Sequence, residues 1–270
     1  MTPTTTPTQS YYQRTGGNRY QPTAHAGGAW NAEEHHFGPL AGLVVHALDR
    51  HRAARSANGL VLARISYDIL GFLALDECEI TVESIRPGRT VELLEAVVAT
   101  ADRPAVRARA WFLTALDTTA VADTPFEGLP PPGTFTPWAM SDLWDCGYAR
   151  SLHVRRRASG RAGRAAAWVT SDVGLVADEP SSALASFVAR VDVVNGMAVQ
   201  QPPTKWTYPN VDMTLHFHRR PEGRWTGLDT TVSFGPAGHG LTSAVLHDAN
   251  GPVGHAQQIL TVRPLEGSHR

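Results

Sequence analysis

The chain has little cysteine, almost no lysine, hardly any net charge and no long apolar run. Its two cysteines, Cys78 and Cys146, lie far apart and form no CxxC pair, so a reduced, cytoplasmic protein is the simplest reading. Lys205 is the single lysine, and the formal net charge is −1. No global field therefore favours nucleic acid or an anionic membrane as partner. No stretch approaches the ~18 apolar residues of a membrane span. Met1 to Ser10 is rich in Thr and Pro, without the basic residue or apolar core of a signal peptide. What is present is ordinary for a soluble globular chain: 42% hydrophobic residues in 270, enough for one large domain or two smaller ones.

Two segments break the pattern. Residues 1–20 offer Thr, Pro, Gln and Gly with almost nothing to bury, and are expected to be a disordered tail. Residues 117–143 include Gly128-Leu129-Pro130-Pro131-Pro132-Gly133, a proline density that neither a helix nor a central strand tolerates. They read as a linker between residues 21–116 and 144–265.

Both halves share one order of elements. In the first, Gly38-Pro39 opens a helix with Leu40, Leu43, Val44, Ala47 and Leu48 at helical spacing, ending near Ala57-Asn58-Gly59. Strand-like runs follow at 60–70, 76–85, 90–100 and 105–116. In the second, extended runs at 151–157 and 165–170 precede a helix from Glu179-Pro180-Ser181 to Asn195-Gly196. Strands follow at 208–218, 224–234, 241–247 and 253–262. A helix followed by four antiparallel strands, twice, predicts an α+β fold. The gaps between strands are too short for parallel βαβ crossovers. The repeat aligns Asp68 with Asp212 and Val106–Trp111 with Val253–Gln258, and places Ser233 near Ile85.

Several stretches carry a resemblance over residues 20 to 265. They are His25-Ala26-Gly27-Gly28-Ala29-Trp30-Asn31, His36-Phe37-Gly38-Pro39, Arg86-Pro87-Gly88-Arg89-Thr90-Val91-Glu92-Leu93, Tyr208-Pro209-Asn210-Val211-Asp212, His216 to Gly223, and Gly251 to Arg263. Together they resemble the thioesterase-like proteins of the acyl-CoA thioesterase II superfamily. The resemblance implies a tandem double hot-dog fold, each unit an antiparallel sheet wrapped around a long helix. It also implies hydrolysis of acyl-CoA thioesters by an activated water. The family's Asp, Thr or Ser, and Gln match Asp212, Ser233 and Gln258. The first half departs from its relatives at Leu70-Gly71-Phe72, where many have an Arg-Pro pair.

Thioester hydrolysis needs a positioned water, donors for the developing oxyanion and a slot for the acyl chain. Asp212 would deprotonate the water; Ser233 and Gln258 would hold it. The helix entrance at Gly38 would supply free N–H groups to the oxyanion, with His36 and Phe37 touching substrate. Neither metal nor cofactor is expected. Other readings stand beside these. Asp212 shares its strand face with Thr214, His216 and His218, and so fits a solvated face. Ser233 fits a strand end, and Gln258 lies in phase with apolar Ala256, Leu260 and Val262. His216 and His218 share a face, as two metal ligands would, but no third ligand stands at the required spacing. His35 and His36 are either a base or an exposed pair. Arg155–Arg157 and Arg219-Arg220 either meet CoA phosphates or form solvated faces. The expected partner is an acyl-CoA or acyl-carrier-protein thioester, with a homo-oligomer as an open possibility. A dehydratase or hydratase of the same fold, and a non-catalytic acyl-thioester binder, are the competing functions.

Overall fold

A computed structural model describes residues 9–55, 59–158 and 161–265. The first half contains β1 (Ser10–Gly16), β2 (Arg19–Pro22), α1 (Phe37–Ala54), β3 (Leu60–Ile69), β4 (Cys78–Arg86), β5 (Val91–Thr100) and β6 (Arg103–Thr114). Pro39 sits in the first turn of α1, and every residue from Phe37 to Leu48 is buried. This is a core helix rather than a surface one. His51 and Arg52 in its last turn complement the helix dipole. The expected stop at Ala57-Asn58 lies outside the described residues; the helix has already ended at Ala54.

Residues 10–20 correct the expectation of a disordered tail. Tyr11, Tyr12 and Tyr20 are all buried, and Tyr12 Oη lies 3.1 Å from Nδ1 of His35. Three aromatics in a polar segment are enough to dock it. β1 pairs antiparallel with β2 on one side and parallel with β10 (Gly174–Val176) of the second half on the other. Tyr12→Ala should cost about 3–5 kcal/mol, the usual loss for a large buried side chain. Urea denaturation would measure this; a change under about 1 kcal/mol would mean the strap is ornamental.

The second half contains β7 (Thr136–Trp138), α2 (Gly147–Arg150), β8 (Leu152–Ala158), β9 (Arg164–Ser171), β10, α3 (Ala183–Val188) and α4 (Val194–Met197). It closes with β11 (Trp206–Thr207), β12 (Asp212–Phe217), β13 (Thr226–Phe234), β14 (His239–Asp248), β15 (Gly251–Thr261) and β16 (Arg263–Pro264). Two expectations need correction here. The proline-rich segment does not end as a free linker: Phe135 and Met140 are buried, and β7 pairs with β8 at the sheet edge, where Pro137 is tolerated. The expected long second helix is absent. It breaks after Val188 into tight turns, in which Arg190 N–H bonds Phe187 O and Val191 N–H bonds Val188 O, before α4 begins. Val191, Val193 and Val194 are β-branched and hold this stretch weakly in a helix.

One fourteen-stranded sheet runs in the order β10-β1-β2-β4-β5-β6-β3-β12-β15-β14-β13-β9-β8-β7. Read outward from the β3–β12 seam, the two halves mirror each other. β13, β14 and β15 each begin 148 residues after their counterparts: Thr226 after Cys78, His239 after Val91, Gly251 after Arg103. Across the seam Ser66 pairs with Thr214, also 148 apart, so a pseudo-two-fold axis passes through that pair. Even the irregularity repeats: Leu62 pairs with Phe112 as Asn210 pairs with Leu260.

This register revises the alignment expected from sequence. Asp212 corresponds to Arg64, and Gln258 to Ala110; Ser233 does correspond to Ile85. Asp68 is instead the neighbour of Asp212 across the seam. For Asp212 the slip is four residues, an even number that preserves the inside-outside alternation of a strand and passes unnoticed; for Gln258 it is one residue, from Trp111 to Ala110, which changes face. The core is a single cluster spanning both halves. Within it α1 crosses α3 closely because Gly42 has no Cβ; a Cβ there would meet Ala189 Cβ at 2.6 Å.

Candidate active site

Gln258 is completely buried on the inner face of β15. Its cross-strand neighbour Thr242, and beyond it Val232, share that face. Ser233 belongs to the opposite row, with Leu241 and Ile259, which are 43% and 44% exposed. Asp212 also turns outward, where its Oδ1 accepts the N–H of Ile259 at 2.6 Å. Of the three residues expected to converge, Asp212 and Ser233 therefore face away from Gln258. Pleat parity is the physical reason. Burial raises the Asp212 carboxyl, opposed by the Ile259 N–H, with Asp68 adding repulsion.

The carboxylate that meets Gln258 is Asp192, in the break between α3 and α4. Its Oδ1 accepts Nε2 of Gln258 at 2.7 Å and Nδ2 of Asn210 at 3.1 Å. Its Oδ2 lies 3.4 Å from Nδ1 of His36. The Gly38 N–H donates to the same His36 nitrogen at 3.1 Å and also faces the Asp192 carboxylate, favouring its ionised form. The site thus joins a turn, Gln258 of β15, the bridge residue Asn210 ahead of β12 and the N-terminus of α1, drawing on both halves. Burial pushes the Asp192 carboxyl up to about 7, against the pull of the Asn210, Gln258 and Gly38 donors. Burial holds His36 neutral, down at about 3. The amide oxygen of Gln258 is buried without a partner among the described residues. Such an acceptor stands ready for a water hydrogen.

Asp192 escaped sequence reasoning because it falls inside a stretch with helical periodicity. One signal was available: a lone acid within Val191-Asp192-Val193-Val194, an apolar run where burial needs a reason. Gly38 does stand at the helix entrance, but the close approach it permits is to the Asp192 loop. A Cβ there would meet Ala189 O at 2.8 Å and Tyr148 Oη at 2.9 Å. His35 is a core histidine, between Tyr12 Oη and the carbonyl of Asp76, with burial lowering it to about 4.

Asp192 and Asn210 open onto a cavity of about 160 Å³, also lined by Trp30, Glu34, His36, Phe37 and Leu73. A narrower slot continues past Trp30 between Met140, Trp144 and Gly196. Its aromatic walls are interlocked: the Trp30 ring stands edge-on to Trp144 at 5.0 Å and to Tyr208 at 5.1 Å. Trp144 is pinned by its indole N–H to Gly196 O at 3.2 Å. Among the described residues no group of three His, Cys, Asp or Glu side chains could hold a metal ion. No described helix is long and apolar enough to cross a membrane.

Comparison with known proteins gives the family and the fold. Residues 27–113 match the acyl-CoA thioesterase N-terminal domain, and residues 124–262 the C-terminal domain. A Thermobifida fusca protein assigned to thioesterase II is 20% identical with a TM-score of 0.67, covering 93% of this chain and 95% of its own. The acyl-CoA thioesterase II TesB2 of Mycobacterium marinum is 14% identical with a TM-score of 0.65, covering 96% and 97%. A conserved hot-dog protein of Alicyclobacillus acidocaldarius is 13% identical with a TM-score of 0.70, covering 93% and 95%. These likenesses establish the hot-dog fold. Comparison with curated proteins gave no significant match. With both of its domains matched, the chain belongs to the acyl-CoA thioesterase family and is a thioester hydrolase.

Proposed function

We propose that two hot-dog units fused in tandem form one working site, in which Asp192 is the base that activates water against an acyl-CoA thioester. The single observation that carries this is the convergence of Gln258, Asn210 and the Gly38 N–H on one buried carboxylate. A base whose acidity lies near neutral pH is well matched to proton transfer. The water sits between the free edge of Asp192 and the unpaired Gln258 oxygen. Asp192 takes its proton as the hydroxide adds to the thioester carbonyl. The Phe37 N–H in the first turn of α1 stabilises the oxyanion, since the Gly38 N–H is held by His36 and Asp192 and Pro39 carries none. Collapse expels CoA thiolate, to which Asp192 returns the proton. The acyl group lies in the slot walled by Trp30, Met140 and Trp144. Asn210 takes the place in which the resemblance implied a hydroxyl.

The twin Asp192–Gln258 and Asp192–Asn210 bonds fix the carboxylate rotamer, so positioning is built in before substrate arrives. Purified protein should release free CoA from at least one of a short, medium and long acyl-CoA, at a rate unchanged by EDTA. No turnover on any of them would favour a non-catalytic binder; loss in chelator would bring a metal into the mechanism.

A second reading has one observation behind it. His36 beside Asp192 is the His/Asp pair that a dehydratase of this fold would use. A 3-hydroxyacyl-CoA substrate separates the two: the hydrolase releases CoA, whereas a dehydratase forms the enoyl thioester with CoA still attached.

A further inference from the structure

The internal symmetry places a second cavity where the catalytic one has its twin. The pseudo-two-fold axis through Ser66 and Thr214 exchanges the two ends of the β3–β12 seam. At one end lies the catalytic cavity, whose lining includes Ile69, Gly71, Pro209 and Asn210. The residues 148 positions away are Phe217, Arg219, Val61 and Leu62. All four line another cavity, of about 410 Å³, at the opposite end of the seam. The two cavities occupy equivalent places in the two halves but differ in chemistry. Leu62 stands for Asn210, and Ala110 for Gln258, so the groups that hold the base are gone.

What replaced them indicates a ligand. Leu113 and Leu116 line this cavity and are 40% and 76% exposed, so its wall offers apolar surface to a ligand. At the rim, Arg219 and Arg220 stand where the catalytic end has Gly71 and Phe72. Arg219 is anchored by both oxygens of Asp248 and by the carbonyls of Pro252 and Gly251. Arg220 is exposed. Asp49 and Arg52 lie close enough to Arg220 for their charges to interact.

We infer that this cavity is a non-catalytic binding site for an amphipathic anion, an aliphatic chain on the leucine-lined wall with its anionic head at Arg220. Two molecules present at the enzyme share that chemistry: the free acid product and the acyl-CoA substrate. The site binds without hydrolysing because it has no counterpart of the Asp192 cluster.

Calorimetric titration of the full chain tests this with three probes: octanoate, the non-hydrolysable thioether S-octyl-CoA, and CoA alone. At least one octyl probe should bind at two sites per chain in the parent protein. Ala115→Trp, at an exposed wall position, should leave one site. Arg220→Glu, which keeps the cavity open, should weaken the second site about tenfold or more, the scale of one lost contact to a charged group. A second site for octanoate alone assigns it to the acid, and for S-octyl-CoA alone to the thioester. One site per chain in the parent, or CoA alone filling the second site with equal affinity, overturns the inference. It stands independently of the catalytic assignment. A protein without turnover whose second site still answers to Ala115→Trp and Arg220→Glu would refute the hydrolytic mechanism and leave this site intact.

Discussion

Asp192→Asn should lose about 10²–10⁴ in kcat, the usual worth of a general base, and yet melt at a higher temperature than the parent above pH 7. Loss of activity follows because an amide cannot take the proton of water. Its oxygen can still receive the donors from Gln258 and Asn210, and its NH₂ can face Nδ1 of His36, so the fold survives. The stability gain follows from burial. The Asp192 carboxyl sits at about 7 in the folded chain against 3.8 ordinarily. The unfolded chain therefore ionises first as pH rises. The stabilisation from the buried neutral acid is fully present below pH ~4 and erodes between there and pH 7. Above pH 7 the lost stability is on the order of 4 kcal/mol, which asparagine does not incur. Melting curves at pH 4.5 and pH 8 would read this out: the variant's advantage should be far larger at the higher pH. Equal melting differences at both pH values would contradict it. So would full activity, which would move the base elsewhere. Asp212→Asn and Ser233→Ala, both on the outer face, should keep activity near the parent's.

Gln258→Leu should reduce kcat/KM at pH 7 by about 10², with part of the loss recovered toward pH 9. Leucine has a similar volume but no donor for Asp192. Losing a hydrogen bond to the ionised form raises the carboxyl further, so at neutral pH most molecules carry a protonated base. Raising the pH restores the ionised base but not the water held by the lost amide oxygen, so recovery is partial. The parent's kcat/KM should rise through a midpoint near 7 and then level off, and the variant's midpoint should lie higher. An unchanged midpoint with a uniformly lower rate would show that Gln258 positions water without tuning the base.

The architecture was largely legible in the residues. The strand-like runs of the sequence placed β3 to β6 and β12 to β15, and Gly38-Pro39 placed α1. Gln258 was legible too, as a polar residue in an apolar row. Asp212 and Ser233 misled because a motif match says nothing about which face of a pleat a side chain occupies. Asp192 was hidden for a different reason. Its position depends on a helix breaking, and that break depends on packing against Gly38 and Tyr148 from distant segments. The N-terminal tyrosines were likewise discounted, because composition averaged over a polar segment conceals three side chains that each find a site in the core.

The placement of β1 between β2 and β10 bears on how the protein is made. As the chain is made, β1 finds β2 at once, but its other edge waits for residues 174–176. During that interval the nascent chain carries an open strand edge, a template for pairing with neighbouring chains. A first-half fragment, or a ribosome stalled before β10, keeps that edge open indefinitely. Synthesis should therefore be most vulnerable to aggregation in the window between emergence of β6 and emergence of β10. A fragment ending at residue 116 should be far less soluble than the 270-residue chain.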